Sequence, residues 1–546
     1  MAHRTAGQAI VDTLVANGVD TLFGLPGAQV YALFDALYEA KDKIRTIGAR
    51  HEQGLGYMAF GYARSTGKLG VYAAVPGPGM LNTTAAMCTA LGACAPTLCL
   101  TAEIPSTFMG KGRHHLHELP DQLGILERLT KSAAHIDTPA LAPTLVNRAI
   151  GEACSGRQGP TALSICWDTL GQSAEIGGIA PAEIPAPPAP DPRQLDEAVR
   201  LIKAARRPMI FVGSGAQHAS AEVRDLAELL GAPVVGFRGG RGIVGEDHPL
   251  GLSMAAAWQL WPETDLMLGI GSRMELPFMR WGSMMEYRRR SADRVLVRID
   301  IDPAEMDRLD THAPLVADAA AGTKALAEAL RKAGHCAQAD SEAIADARRK
   351  TERLIREIQP QMDYVDAIRD VLPRDGFFVE EISQVGFTAS FGLPIYHPRT
   401  YVSCGHQGTL GFGFPTALGV KIANPDKQVV SVTGDGGFMF AVQELATAVQ
   451  YGIAVVTVIF DNGCFGNVRR DQQTLYDNHL IGSDLVNPDF VALAESFGVK
   501  AYRVTSPAGM RPALEQAFAL DKPAVIHCVV PRGSEISPWR FLQPGD

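Results

Sequence analysis

The chain has 546 residues, 46% hydrophobic and 20% charged, with 50 Lys and Arg against 59 Asp and Glu for a net charge of −9. That length exceeds one ordinary core and predicts about three or four domains. The acidic balance, with no long basic block, argues against a nucleic-acid or anionic-membrane binder and leaves small molecules as the expected partners. Nine cysteines, at 88, 94, 99, 154, 166, 336, 404, 464 and 528, form no CxxC pair and lie mostly in apolar runs. They read as reduced thiols of a cytoplasmic protein. No stretch approaches the roughly 20 apolar residues of a membrane span, and the N-terminus lacks the apolar core of a signal peptide.

Taken in order, residues 4–17 predict an amphipathic helix, and a short strand then runs into the turn Leu25-Pro26-Gly27-Ala28. A strand at 46–49 ends at Arg50-His51-Glu52, ahead of a Gly/Ala-rich helix over 54–65. Glu52 therefore stands at a strand-to-helix junction, where α/β folds place ligand contacts. A strand at 70–75 leads through Pro76-Gly77-Pro78-Gly79 to a small-residue helix, and apolar strands recur at 97–101 and 162–166. This alternation predicts a parallel sheet covered on both faces. The proline-rich run 180–192 reads as a linker.

Beyond it, strands at 209–213, 233–236, 265–269 and 295–301 predict a second α/β domain. Gly213-Ser214-Gly215-Ala216 after the first of these is a weak nucleotide signal, since tight strand-helix packing selects the same glycines. The polar, helix-prone stretch 336–358 reads as a second linker, and a third domain follows. The expectation is an α/β protein of three doubly wound parallel-sheet domains, bounded at 1–178, 190–335 and 360–546.

Residues 429–467 carry the most specific pattern. An apolar run ends at Gly434-Asp435-Gly436-Gly437, a helix is expected over 438–451 with Gly452 as its cap, and a second apolar run stops at Asp461-Asn462-Gly463. In one βαβ unit the two strands are parallel neighbours, so Asp435 and Asn462 stand side by side at their carboxyl ends. A carboxylate and an amide oxygen suit Mg²⁺, which completes its shell with phosphate oxygens and water. The helix N-terminus offers N–H groups to the same phosphates. An ordinary βαβ unit with a glycine turn is the plainer alternative.

Gly434-Asp435-Gly436, followed after 24 residues by Asp461-Asn462, resembles the signature of thiamine-diphosphate (ThDP) enzymes. The family commonly has Asn where Asp461 stands. GLPGAQVYALFDAL, ARHEQGLGYMAFGYARSTGKLGV and PGPGMLNTTAA resemble the pyrimidine-binding domain of acetohydroxyacid synthase and its relatives. GHQGTLGFGFPTALGVKIANP and NPDFVALAESFG resemble their pyrophosphate-binding domain.

That resemblance implies roles. Glu52 would activate the aminopyrimidine ring, with Pro26, Gly27 and Asn82 lining it. Leu410, between Gly408 and Gly411, would wedge the bent cofactor. Gln384, Gly434, Gly436 and Gly437 would face the diphosphate, and Asp435, Asn462 and the backbone carbonyl of Cys464 would hold Mg²⁺. Because the two halves lie on different domains, the family builds the site between subunits, which implies at least a homodimer; a homotetramer is common.

Substrate-facing candidates are His117 and His115 in Gly112–Gln122, with His406 and Gln407. Histidines suit proton transfer near neutral pH, although a solvated loop or a metal cluster would also use them. Only His117 aligns with a recurrent catalytic position of the family. The stretch DQLGILERLTK is closer to benzaldehyde lyase, and Asp471 falls where acetohydroxyacid synthase has the tryptophan linked to its choice of acceptor. Val385 likewise replaces a family histidine.

The expected activity is thus a ThDP- and Mg²⁺-dependent lyase or carboligase that forms an acyl-anion intermediate from a 2-oxo acid or aldehyde and then protonates it or adds it to a second carbonyl. An acetolactate synthase proper, a CoA-thioester decarboxylase, a flavin-linked oxidase and a non-catalytic homologue are the alternatives. The middle domain resembles flavin-binding relatives only loosely, so FAD is not expected.

Overall fold

A computed structural model describes residues 2–291 and 294–545. Among them, strand β1 (Ala2–Thr5) precedes the first large sheet, which holds β2 (Thr21–Gly24), β3 (Arg45–Ile47), β4 (Gly70–Ala74), β5 (Thr97–Glu103), β6 (Ser132–Ile136) and β7 (Thr161–Cys166). Strand β8 (Ser173–Ile176) returns to pair antiparallel with β1. The second sheet holds β9 (Pro208–Val212), β10 (Val234–Gly236), β11 (Gly251–Leu252), β12 (Leu266–Ile270), β13 (Val295–Asp300) and β14 (Ala313–Val316). The third holds β15 (Phe377–Glu380), β16 (Tyr401–Val402), β17 (Val429–Gly434), β18 (Val456–Asp461), β19 (Lys500–Val504) and β20 (Ala524–Val529).

All three six-stranded sheets are parallel, and their strand orders differ in an informative way. The first runs β3-β2-β4-β5-β7-β6 and the third β16-β15-β17-β18-β20-β19. Counted within each sheet the two orders are identical. The middle sheet, β11-β10-β9-β12-β13-β14, has two strands rather than one outside its first and does not swap its last two. In each case a crevice opens at the strand carboxyl ends where the order reverses. These crevices are flanked by β2 and β4, by β9 and β12, and by β15 and β17.

The first and third units share one hydrophobic cluster, which joins Phe23, Tyr57 and Phe60 to Phe412, Phe438 and Phe490. Its axis is the contact of helix Glu52–Thr66 with helix Gly413–Ala423. The Gly/Ala richness of both helices has a steric reason. A Cβ on Gly61 would stand 2.1 Å from the Thr416 carbonyl oxygen, and one on Gly419 would stand 1.9 Å from that of Met58. Backbone meets backbone there, and only glycine permits it.

Three local expectations need correction. The first helix begins at Ala6, not at residue 4, because Thr5 caps it with a reciprocal Gln8 bond and the residues before it pair with β8. The helix expected over 438–451 is two pieces, Asp435–Met439 and Glu444–Tyr451. The helix-prone stretch 336–358 does form a helix, Ser341–Ile355, but a packed one rather than a free linker. That helix buries Ile344, Ala347, Thr351 and Ile355, a one-sided stripe at helical spacing, and it packs against helix Met254–Leu260. Residues 177–191, in contrast, form no regular element and are largely exposed.

Candidate active site

The first crevice gathers most of the residues expected on the pyrimidine side. Glu52 begins helix Glu52–Thr66, with His51 capping through its ring nitrogen. Its Oε2 accepts a hydrogen bond from Asn82 Nδ2 at 3.0 Å. Its Oε1 lies 3.4 Å from where a Cβ of Gly79 would stand, so the PGPG turn lies against the carboxylate. Val75 is clasped between that turn and Gly27, whose own Cβ would fall 2.6 Å from Val75 Cγ1.

Gly77, at φ +61°, presses on the backbone of His117 and gives its N–H to Gln122 Oε1 at 2.8 Å. His117 thus meets the same PGPG turn that lies against Glu52. His115 is not: its ring packs on Phe108, and its backbone N–H goes to Glu118. Among the described residues no histidine of this loop belongs to a group of three or more metal-ligating side chains.

The third crevice gathers the oxygen-rich group. Asp435 follows β17, and its Oδ2 accepts Gly463 N–H at 2.9 Å, which brings the GDG turn onto the turn after β18. Asn487 Nδ2 bridges the pair, 2.7 Å from Asp435 and 2.8 Å from Asp461. Burial first, and then the neighbouring Asp461, push the Asp435 carboxyl up. Asp461 moves the other way: burial would raise it, but hydrogen bonds from His527, at 2.9 Å, and from Asn487 hold it low.

Asn462 Nδ2 donates to Glu535 at 2.7 Å, while its Oδ1 accepts the Cys464 N–H and thiol. A backbone N–H only donates, so the amide's orientation is fixed, with the oxygen on the Cys464 side. Gln384 opens helix Gln384–Gly392 beside this turn, near both Gly466 and Asn462.

Leu410 is half-buried on the loop between Gly408 and Gly411, which take φ of +59° and +78°. Glu381, fully buried at the end of β15, accepts the N–H groups of Gly411 and Gly413 at 2.5 and 3.2 Å. Gly437 is also tight against it. Burial pushes the Glu381 carboxyl up to about 7 despite those hydrogen bonds.

His406 and Gln407 turn elsewhere. His406 Nδ1 accepts from Arg273 at 2.9 Å, and both rest against Gly92 at the rim of a different cavity. That cavity, of about 470 Å³, opens at the reversal point of the middle sheet. Gly213–Gly215 and Gly271–Arg273 line it, with walls from the first and third units. Two of its arginines, Arg64 and Arg399, have no carboxylate partner among the described residues. Burial lowers both, Arg64 to about 10.

The sequence reading missed several residues of these sites: Gln29, Gln122, Glu381, Glu444 and Asn487. Glu381 carried a signal, an acid at the carboxyl end of an apolar strand. Glu444 matters most for the architecture. It is fully buried, accepts the N–H groups of Arg50 (3.1 Å) and His51 (3.0 Å), and binds the Thr447 hydroxyl at 2.6 Å. The third unit thereby holds the backbone that leads into Glu52. Among the described residues, no hydrogen bond or ion pair joins the Glu52 group directly to the Asp435 group within the chain.

The donor chemistry fits ThDP with a divalent cation. Asp435, Asn462 and the Cys464 carbonyl offer hard oxygens. The glycines of the GDGG turn and Gly408 keep side chains off the crevice, and around Gly408 a Cβ would meet nothing within 4 Å.

Comparison with known proteins agrees along the whole chain. The N-terminal TPP binding domain of thiamine pyrophosphate enzymes matches residues 4–125, the central domain 195–326 and the C-terminal TPP binding domain 381–528. The chain belongs to the thiamine pyrophosphate enzyme family. It is a ThDP-dependent enzyme of the lyase and carboligase kind, and Mg²⁺ is the usual companion ion of that family.

Among its relatives, the probable acetolactate synthase large subunit of Methanococcus aeolicus is 31% identical over 98% of this chain and 93% of its own length. The acetolactate synthase large subunit of Corynebacterium glutamicum is 31% identical over 99% of this chain and 89% of its own. The probable 2-ketoarginine decarboxylase of Pseudomonas aeruginosa is 33% identical over 90% and 88%. No helix among the described residues is long and apolar enough to cross a membrane.

Proposed function

We propose that the enzyme acts on a 2-oxo acid or an aldehyde as a decarboxylase or carboligase distinct from an ordinary acetolactate synthase. The domain bounds adopted are 1–178, 190–335 and 360–546. When bound, ThDP supplies an electron sink for breaking and making a bond at a carbonyl carbon. The protein's part is orientation and proton handling. Asp435, Asn462 and the Cys464 carbonyl would hold Mg²⁺, with Gln384 and the N–H groups of Gly434–Gly437 on the diphosphate. Leu410 would support the cofactor from beneath. Glu52, oriented by Asn82, would hold a proton against the pyrimidine ring, and His117 would move one at the substrate.

The observation that carries this reading is the equivalence of the two crevices: a carboxylate bonded to Asn82 at one, an oxygen-rich group around Asp435 at the other, on sheets of one strand order. Asp471 favours the distinction from acetolactate synthase, because it pairs with Arg470 where an aromatic side chain would otherwise close on the acceptor.

We also infer a homodimer or larger. Large apolar residues stay exposed beside both crevices, among them Leu116 at 58%, Phe440 at 54% and Ile481 at 81%. A second copy would cover them and bring a Glu52 group to an Asp435 group.

The test is a panel of pyruvate, 2-oxobutyrate, glyoxylate, benzoylformate, benzoin and oxalyl-CoA with ThDP and Mg²⁺, following CO₂ and carbon products. Turnover of a 2-oxo acid or aldehyde supports the reading. Exclusive formation of acetolactate from pyruvate overturns the distinction drawn on Asp471.

The middle cavity favours a second ligand. A buried arginine, Arg64, and a half-buried one, Arg399, without acid partners suit an anion, and the volume suits a nucleotide. Equilibrium dialysis with ADP and with FAD tests this, a yellow holoprotein marking the flavin; retention of neither overturns it.

A further inference from the structure

Gln29 lies in the turn after β2, and it sits there against local preference. Its φ is +75°, a region that strains a long side chain by on the order of 1 kcal/mol, and it is entirely buried. Both ends of its amide are engaged. Nε2 is 2.7 Å from the Leu116 carbonyl oxygen, and Oε1 is 2.7 Å from His117 Nδ1.

These contacts leave one consistent assignment of hydrogens. A carbonyl oxygen only accepts, so the NH₂ end faces Leu116 and the amide oxygen faces His117. That oxygen also only accepts, so His117 Nδ1 carries a hydrogen. In the neutral imidazole the lone pair is then on Nε2. The backbone of His117 is fixed as well, at φ +69° and pressed by Gly77. A glutamine that merely filled the core would not need to orient a ring.

We propose that Gln29 is a positioning residue that fixes the tautomer of His117, so that the imidazole meets the substrate as a proton acceptor at Nε2. The inference rests on the reading of His117 as a substrate-facing group. A proton taken at Nε2 leaves an imidazolium still bonded through Nδ1–H to Gln29. Returning it from Nε2 restores the starting ring, with no net change in the protein. A change at Gln29 frees the ring to adopt the other tautomer, which presents N–H where the lone pair is needed.

The experiment uses the full-length enzyme loaded with ThDP and Mg²⁺ and labelled with ¹⁵N-histidine, on the donor that the substrate panel identifies. Gln29→Met keeps the length and removes the acceptor; Gln29→Gly, which suits the positive φ, replaces it if that variant does not fold. Gln29→Glu in its protonated form keeps the acceptor for His117 and an O–H donor for the Leu116 carbonyl.

In the unmodified enzyme the His117 ring shows protonated Nδ1. Loss of the acceptor mixes the tautomers and lowers kcat about 10-fold or more, within the range ascribed to positioned proton transfer, while KM and bound ThDP stay nearly constant. Gln29→Glu restores the Nδ1–H signal and most of kcat. An unchanged tautomer or an unchanged kcat in the acceptor-free variant overturns the proposal, as does Gln29→Glu performing no better than Gln29→Met. A fully active His117→Ala overturns the role of His117 itself and leaves the tautomer result to stand alone.

Discussion

The first and third sheets share a strand order, yet the same topological position carries opposite chemistry in each. Glu103 is the last residue of β5, and Asp461 is the last residue of β18, each the fourth strand of its sheet. Burial outweighs the Gln122 hydrogen bond and pushes Glu103 up to about 7. Asp461 is held low by His527 and Asn487 although burial opposes it. Repeated topology therefore supplies a crevice, and a few polar neighbours decide whether an acid there is charged. The third crevice is equipped for a cation and an anion. The first keeps its working carboxylate, Glu52, beyond the edge strand β3, with Asn82 as its side-chain partner.

The comparison breaks most visibly if the halves can be exchanged between chains. Glu52→Gln and Asp435→Asn should each lower kcat about 1,000-fold, the scale of positioned proton transfer and of charge stabilisation in a closed site. Mixed dimers of the two variants then discriminate. If each site takes Glu52 from one chain and Asp435 from the other, a heterodimer holds one intact site, and a random mixture recovers about a quarter of wild-type activity. If one chain supplies both halves, the mixture stays inactive. Co-expression with two affinity tags measures the difference.

A smaller effect sharpens the contrast between charged and neutral acids. Glu381 has a folded value of about 7, above the ordinary carboxylate range. The unfolded chain therefore loses this proton at lower pH than the folded one. Stability attributable to Glu381 is full below about 4.5 and is lost as pH rises through about 7, by about 3 kcal/mol in all. Glu381→Gln carries no such dependence. Urea unfolding of both forms at pH 5 and 7.5 should show the wild type losing ground to the variant at the higher pH. A constant difference would mean that the carboxylate stays ionised on the N–H groups of Gly411 and Gly413.

How much of this was legible in the sequence follows from the range of each interaction. The parallel strands, the GDG turn and its Asp461-Asn462 counterpart are local patterns, and they fixed the fold class and most of the third crevice in advance. Glu52 and Asn82 were named from motif resemblance, 30 positions apart, and the fold brings them to 3.0 Å. Gln29 and Glu444 lie within the matched stretches but were not singled out, since their partners stand 88 and 393 residues away. His406 was read as a substrate contact from its place before Gly408, but Arg273 of the middle unit takes its ring. The helix at Ser341–Ile355 was legible as a helix-prone stretch, but its high charge masked the apolar stripe that packs it on the middle unit.

Glu444 offers the finest test, because it couples the halves that the comparison sets apart. Its carboxylate satisfies two backbone N–H groups of the strand exit leading to Glu52, and Gly54 leaves it room, as a Cβ there would stand 2.7 Å from Oε1. Glu444→Ala leaves those part-buried donors without their partner. It also relieves the burial that pushes the carboxyl up, so the net loss of stability is about 2 kcal/mol. Glu444→Gln keeps an acceptor oxygen and should lose less than half of that. If the contact positions Glu52 rather than only stabilising the fold, the alanine variant should also lower kcat at a temperature where it remains folded, with KM unchanged, and the glutamine variant should restore it. An alanine variant that loses stability but keeps full kcat would confine Glu444 to holding the two units together.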